Sequence, residues 1–364
     1  MALRCGIVGL PNVGKSTIFN ALTASSVPAE NYPFCTIEPH MGIVALPDDR
    51  LGKLTGIFKP EKVTPATVEF TDIAGLVRGA SKGEGLGNQF LSQIRQVAAI
   101  VHVVRCFEDD DVVHVDDHVD PIADAEIIDT ELMLADMESV EKRLQNIVRK
   151  VRGGDKEAVQ QERLLRCAMA ALEEGRPART VTIDGEDEKQ WKMLQLLTSK
   201  PILYVCNVGE SDAASGNAHS NAVAEMATTQ GNSHVIISAQ IEEEISQFKE
   251  EEAVMFLAEM GLEEAGLDRL IRAGYELLAL ETYFTVGPKE ARAWTIKNGT
   301  SAPQAAGVIH GDFERGFIRV ETIAYNDFVG LGGENPAKEA GKMRAEGKSY
   351  TVQDGDVMHF LFNT

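Results

Sequence analysis

Short apolar segments recur in residues 1–105 and again in residues 201–238, with amphipathic stretches between several of them. The apolar segments are residues 4–10, 42–46, 66–72, 99–105, 201–206 and 234–238. Apolar runs of this length predict buried strands, and their alternation with helical segments is typical of β-α units. The pattern predicts an α/β fold whose sheet is mostly parallel and covered by helices on both faces.

An insertion interrupts this alternation between residues 105 and 201. Its apolar residues step by four and three, the spacing of a coiled-coil seam, at Met133, Met137, Val140, Leu144, Ile147 and Val151. Gly153 and Gly154 end that helix, and a second stripe follows at Ala158, Leu165, Ala168 and Leu172. We expect an antiparallel helical hairpin of roughly 35–40 Å. Basic side chains near its tip form either a solvated face or a docking surface for RNA or protein: Lys142, Arg143, Arg149, Lys150, Arg152 and Lys156.

The first apolar segment leads directly into a glycine-rich motif. Residues 9–16 fill every fixed position of G-x-x-x-x-G-K-[ST], with a predicted strand before and a predicted helix after. In such a loop the backbone N–H groups cradle phosphates, Lys15 reaches the β and γ oxygens, and the Ser16 hydroxyl ligates Mg²⁺. The alternative, a chance glycine-rich turn, does not explain this context.

A second motif of nucleotide hydrolases, D-x-x-G, follows the predicted strand at 66–72. Asp72 would hold a water molecule bound to Mg²⁺, and the Gly75 N–H would bind the γ-phosphate. Thr36 offers a loop hydroxyl that closes onto Mg²⁺. Loops tied to the γ-phosphate in this way order in one nucleotide state and relax after hydrolysis. Leu76 occupies the position where many proteins of this fold have a water-orienting glutamine, so we expect slow intrinsic hydrolysis.

Asn12 lies inside the phosphate loop. An asparagine there can help to seat a monovalent cation such as K⁺ beside the phosphates, and stabilisation of the loop itself is the alternative explanation.

The loop that would contact the base departs from the guanine-specific sequence N-K-x-D. Residues 207–210 are Asn-Val-Gly-Glu, so the lysine is lost and the acid is longer by one methylene. Both changes misplace contacts to guanine, and guanine selectivity is therefore in doubt. Ser238, Ala239 and Gln240 complete the base-side loop.

These motifs predict three domains. Residues 1–127 and 200–280 would form the nucleotide-binding domain, residues 128–199 the inserted hairpin, and residues 281–364 a small module. The module has strand-like segments at 291–296, 316–320 and 357–361 and no catalytic cluster, so we expect it to bind a partner.

The net charge is −21, and its excess lies in the middle of the chain. Residues 106–280 carry 16 basic and 37 acidic side chains, whereas the segments before and after carry net charges of +2 and −2. The two ends therefore remain free to approach a polyanion such as RNA. The five cysteines form no C-x-x-C pair, and no apolar run is long enough to span a membrane. We expect a cytoplasmic protein with reduced thiols.

The ordered motifs resemble those of the phosphate-loop GTPase class, and finer features narrow the resemblance to one family. These features are Leu76 after D-x-x-G, the glycine-rich run 79–88, Asn-x-x-Glu in the base loop, the helical hairpin and the C-terminal module. Together they resemble the YchF family of Obg-like ATPases over essentially the whole chain. In that family the C-terminal part is a TGS domain, a ubiquitin-like β-grasp module shared with threonyl-tRNA synthetase, and residues 302–310 and 341–348 carry that match.

The resemblance implies a Ras-like phosphate-loop fold, binding and hydrolysis of ATP in preference to GTP, and association with the ribosome or its RNA, with double-stranded RNA as a further candidate. The motifs already assign catalytic roles to Lys15 and Gly75 and a Mg²⁺-holding role to Asp72; the resemblance assigns Mg²⁺ to Ser16 and Thr36 and a role in hydrolysis to His114. The residues expected to bind nucleotide are Gly9, Asn12, Val13, Gly14, Lys15, Ser16, Thr17, Asn207, Val208, Glu210, Ser238, Ala239 and Gln240. An alternative for His114 is a transition-metal site with His118 and neighbouring aspartates, but the spacing matches no defined tetrahedral pattern.

Three functions compete. The leading hypothesis is a ribosome-associated ATPase switch, in which nucleotide state orders the Thr36 and Gly75 loops and repositions the hairpin and C-terminal module. The second is a GTP-dependent RNA-binding adaptor with little physiological turnover. The third, a metabolic hydrolase, is disfavoured because it gives the C-terminal module and the basic hairpin tip no role.

Overall fold

The structure is a computed structural model that describes residues 4–24, 40–73, 86–109 and 118–363. The chain divides into two compact units, one of Met1–Gly42 and Glu69–Gly274 and the other of Ile43–Val68 and Tyr275–Thr364. Within the described ranges, no helix combines the length and apolar character needed to cross a bilayer.

The strands of the described chain are, in order, β1 (Arg4–Val8), β2 (Met41–Ala45), β3 (Lys62–Thr64), β4 (Thr67–Asp72), β5 (Ala99–Arg105), β6 (Ile202–Asn207), β7 (Ser233–Ile237), β8 (Leu280–Val286), β9 (Glu290–Lys297), β10 (Phe317–Ala324), β11 (Arg344–Glu346) and β12 (Asp356–Phe362). The helices of the same residues are α1 (Lys15–Ala24), α2 (Asp49–Phe58), α3 (Leu86–Gln96), α4 (Pro121–Arg152), α5 (Lys156–Glu173), α6 (Glu188–Met193), α7 (Ala218–Thr229), α8 (Ala239–Ile245), α9 (Glu250–Glu259), α10 (Gly266–Leu277), α11 (Ala302–Ile309), α12 (Gly311–Arg315), α13 (Tyr325–Leu331) and α14 (Glu334–Glu339).

The first sheet confirms the predicted α/β fold. Its strand order is β2-β4-β1-β5-β6-β7, and the pairs β4/β1, β1/β5, β5/β6 and β6/β7 are all parallel. Every residue of β5 and β6 is buried, as expected for central strands covered on both faces. Parallel strands end at the same edge, so the residues that follow β1, β4, β5 and β6 converge there.

The predicted helical hairpin is present as α4 and α5, joined by residues 153–155. Val140 of the predicted seam is fully buried against Leu164, Leu165 and Ala168, while Leu144 and Ile147 pack at the edge of the same cluster. Helix α4 begins at Pro121, before the predicted domain boundary at 128, because the Asp120 side chain accepts hydrogen bonds from the N–H groups of residues 122 and 123.

The second unit contains a mixed sheet in the order β11-β10-β12-β8-β9-β3. Strands β8/β9 and β10/β12 are antiparallel, and β12 and β8 are parallel. Its core is made by Tyr283, Ile296, Phe317, Val320 and Phe360, with α11 packed on it. Strands β9 and β12 extend one residue beyond each end of the predicted segments, whereas β10 begins one residue later than predicted and continues to Ala324.

The structure divides the chain differently from the sequence-based prediction at residues 43–68. These residues group with the C-terminal part rather than with the nucleotide-binding part. Strand β3 pairs in parallel with β9, matching Lys62 to Glu290, and α2 packs on β8 and β9. In the same unit the Phe58 ring stacks on Phe328 at 6.1 Å, and the Arg50 guanidinium lies over Phe284. An early segment of the chain thus supplies an edge strand and a helix to the C-terminal sheet.

Candidate nucleotide site

The phosphate loop connects β1 to α1, and its glycines lie where no side chain fits. Gly14 has φ +93°, and a Cβ there would lie 2.3 Å from Asn207 Nδ2. At Gly9 a Cβ would lie 2.5 Å from the carbonyl oxygen of Val103. The motif glycines are therefore required by close approach of the loop to the ends of β5 and β6.

Lys15 begins α1 and is buried. Its Nζ donates a hydrogen bond to the carbonyl oxygen of Leu10 at 2.7 Å, which curls the side chain back over the loop. Burial lowers the pKa of Lys15, and the nearby charge of Asp72 opposes that shift. A phosphate placed beside this ammonium group would restore its preference for the charged form.

Asp72 ends β4, and its Cα lies opposite that of Ile7 in the parallel register. Burial raises the pKa of this carboxyl, while the charges of Lys15 and His40 lower it. Within the described chain, Asp72 Oδ1 is buried and accepts no hydrogen bond. A buried carboxylate oxygen without a donor, on the same edge as the Ser16 hydroxyl, fits the all-oxygen ligand set that Mg²⁺ prefers.

Asn207 links the phosphate loop to the base-side loop. Its Nδ2 donates to the Val13 carbonyl oxygen at 3.0 Å, and its Oδ1 accepts from the Ala239 N–H at 2.9 Å. Asn207 is 3% exposed, so both hydrogen bonds are shielded from water. Three segments that are distant in sequence are therefore held together by one side chain.

A pocket of about 350 Å³ opens at this edge of the sheet. Its lining includes nine of the residues that the sequence predicted: Asn12, Gly14, Lys15, Ser16, Thr17, Asn207, Val208, Ala239 and Gln240. Gly9 and Val13 lie in the same loop without lining the pocket. The pocket is thus built by the phosphate loop on one side and the base-side loops on the other.

Two predicted base-side residues lie elsewhere. Glu210 is exposed at the start of a short 3-10 turn, Ser238 is buried directly before α8, and neither lines the pocket. Four further predicted positions, Thr36, Gly75, Leu76 and His114, lie outside the described residues, so their roles and the alternative metal site remain predictions.

The structure adds Phe107, Asp109 and Glu243 to the pocket lining. Arg105 fixes the segment that follows β5, because its Nε donates to the Phe107 carbonyl oxygen at 3.1 Å and its guanidinium lies 4.6 Å from the centre of the Phe107 ring. Asn217 Nδ2 donates to the Cys106 carbonyl oxygen at 2.7 Å. The position of residues 107 and 109 directly after a predicted central strand was the signal that could have identified them.

Two family models match the sequence. The family described as "50S ribosome-binding GTPase" matches residues 4–150. The C-terminal family of YchF GTPases, described as "Protein of unknown function (DUF933)", matches residues 280–363.

Full-length relatives are similar throughout. Proteins named "Ribosome-binding ATPase YchF" are 56% identical in Bacillus subtilis, 55% in Haemophilus influenzae and 53% in Escherichia coli O157:H7, and each alignment covers 100% of both chains. The solved structure of the YchF GTPase of Schizosaccharomyces pombe is 40% identical, with a TM-score of 0.88 over 99% of this chain and 97% of that one. The chain belongs to the YchF family.

Proposed function

We propose that this phosphate-loop nucleoside triphosphatase is a Mg²⁺-dependent ATPase switch that acts on the ribosome and prefers ATP to GTP. The observation that carries the proposal is the Asn207 link, which joins the phosphate loop and the base-side loop around one pocket. We infer action on the ribosome from the bacterial relatives, which are named ribosome-binding ATPases.

The chain's own residues have distinct tasks in the proposed hydrolysis. The buried ammonium group of Lys15 stabilises negative charge that develops on the phosphate oxygens, and its low-dielectric surroundings strengthen that effect. Ser16 and Asp72 would hold Mg²⁺, which when bound supplies positive charge at the β-γ bond. Thr36, Gly75 and His114 remain assigned by sequence, and the aliphatic Leu76 supports a slow intrinsic rate.

Several features support the preference for ATP. Val208 is buried and apolar where the guanine-specific sequence has a lysine, and Glu210 is exposed outside the pocket. The guanine-specific pair of a lysine stem and a short carboxylate is therefore missing from this loop. Asn12, at φ +62° in the pocket lining, remains the candidate contact for K⁺.

The connectivity of the chain supports a switch. The segment that contains Thr36 leads into the second unit at Ile43, and the chain returns at Glu69 just before Asp72. Both loops that would respond to the γ-phosphate are therefore covalently continuous with the second unit. A change in the conformation of these loops after hydrolysis would therefore be transmitted to the second unit through the backbone.

Ribosome co-sedimentation tests this function. We expect the wild type to pellet with ribosomes to a different extent with a non-hydrolysable ATP analogue than with ADP, and Lys15→Ala to lose that difference. Ribosome binding that is the same with both nucleotides would contradict the switch. The adaptor would be favoured if RNA binding by the wild type responded only to GTP and Lys15→Ala still bound RNA.

A further inference from the structure

Helix α9 presents apolar side chains to solvent, and no neighbouring element among the described residues covers them. Val254 is 63% and Met255 67% exposed, which makes them two of the most exposed large apolar residues of the described chain. Ala258 is also exposed, one helical turn after Val254. We call these three residues, with the glutamates around them, the α9 outer face.

The opposite side of the same helix is firmly packed. Leu257 is buried with Ile241, Leu262 and Ala213, and Phe256 packs against that cluster. The rings of Phe248 and Phe256 meet edge to face, with centroids 5.3 Å apart. The helix therefore has a fixed orientation, and the exposure of Val254 and Met255 does not arise from a frayed element.

Carboxylates surround the apolar residues. Glu250, Glu251, Glu252 and Glu259 are all exposed on α9, and within the described residues none of the four is in an ion pair. Three of them lie in the first turn, where their negative charge interacts favourably with the helix dipole. The dipole does not explain why Glu259, Val254 and Met255 are exposed on the same helix. The α9 outer face thus combines an exposed, adaptable apolar centre with a negatively charged rim.

We propose that the α9 outer face docks a basic amphipathic helical segment of a partner protein. Such a segment would place aliphatic side chains on Val254 and Met255 and its lysines or arginines on Glu251 and Glu259. RNA phosphates and anionic membranes would be repelled by the rim. A second copy of this chain that docked through its own α9 outer face would bring the same carboxylates against it.

The surface lies close to the proposed nucleotide pocket in the same unit. Helix α8 precedes α9, carries Gln240 and Glu243 in the pocket lining, and shares the Ile241–Leu257 core with α9. The docking proposal goes beyond the proposed ATPase function. Because its test needs no nucleotide, the docking proposal and the ATPase proposal can fail independently.

The test uses the full chain and a fluorescently labelled synthetic amphipathic helical peptide of leucine and lysine, with a peptide of leucine and glutamate as its counterpart. We expect the lysine peptide alone to bind, and Val254→Ser with Met255→Ser to weaken binding about tenfold or more, because two buried apolar contacts are lost. Glu251→Gln with Glu259→Gln should weaken binding and flatten its salt dependence.

Met193→Ser is the matched control, because Met193 is 63% exposed on α6 and lies outside the α9 outer face. We expect it to bind the lysine peptide as the wild type does. The proposal is overturned if Val254→Ser with Met255→Ser binds like the wild type, or if Met193→Ser weakens binding equally. It is also overturned if the serine pair abolishes a dimer seen by sedimentation, or weakens binding of a short RNA.

Discussion

Single residues hold the candidate site in shape through close backbone approach. Gly14 has a positive φ and almost touches the Asn207 amide, and that amide in turn ties Val13 to Ala239. Adding a single Cβ atom at Gly14 would therefore disturb both loops of the pocket.

We expect Gly14→Ala to reduce nucleotide affinity by at least about tenfold, because a Cβ would displace Asn207 and release both of its hydrogen bonds. Calorimetric titration with ATP measures the loss. Gly52→Ala is the control, since a Cβ there meets no atom within 4 Å and should leave affinity unchanged. Wild-type affinity in Gly14→Ala would show that the Asn207 link does not shape the pocket.

Lys200 provides a pH-dependent test in the same unit. Burial lowers the pKa of Lys200 from 10.5 to about 8, although its Nζ donates to the carbonyl oxygens of Val97 and Arg95. Between these two values the unfolded state binds more protons, so Lys200 makes the free energy of unfolding rise with pH, by about 3 kcal/mol at most. Urea unfolding at pH 7.5 and 9.5 should show a smaller rise in Lys200→Met than in the wild type. Equal rises would contradict the assigned pKa.

The phosphate loop was predictable from sequence because its requirements are local. The spacing of Gly9, Gly14, Lys15 and Ser16 specifies strand, loop and helix together. Phe107, Asp109 and Glu243 belong to none of the nucleotide-binding motifs. Only the position of residues 107 and 109 directly after a predicted central strand pointed to the pocket, and Glu243 reaches it through the tertiary arrangement of α8.

At the scale of elements, the hairpin is attached to its surroundings by a buried carboxylate. Asp136 of α4 is fully buried and accepts hydrogen bonds from the N–H groups of Leu197 and Thr198 and from the Thr198 hydroxyl, at 2.7–2.9 Å. The seam period predicted the helix pair, but an aspartate on a helix gives no sequence sign of such a role.

We expect Asp136→Ala to lower the free energy of unfolding by about 2–4 kcal/mol, because two buried N–H groups lose their acceptor. Thermal unfolding followed by circular dichroism measures the loss. The control is Glu138→Ala, which removes an exposed side chain paired with Lys142 on the same helix and should cost well under 1 kcal/mol. Similar losses in both variants would refute a special role for Asp136.

For the whole molecule, the main departure from the sequence-based picture is the place of residues 43–68. Their three-residue strand β3 is too short to show an alternating pattern, and its partner β9 lies more than two hundred residues later. Sequence periodicity cannot detect a pairing of that range, whereas it does identify the longer strands β9, β10 and β12.

We expect Leu54→Ala to destabilise the second unit by about 2–4 kcal/mol, because Leu54 is fully buried on α2, which packs on β8 and β9. The chain has two tryptophans, and Trp294 lies in this unit, so its fluorescence in a Trp191→Phe background follows unfolding of the second unit alone. Lys53→Ala, an exposed neighbour, is the control. An unchanged Trp294 unfolding transition in Leu54→Ala would show that residues 43–68 do not stabilise the second unit.

We propose that the altered base loop makes this YchF protein an ATP-dependent switch, and equilibrium binding of fluorescent ATP and GTP analogues with Mg²⁺ is the decisive test. The wild type is compared with Val208→Lys combined with Glu210→Asp. We expect tighter binding of ATP in the wild type and recovery of GTP binding in the double variant. Tighter binding of GTP by the wild type would contradict it.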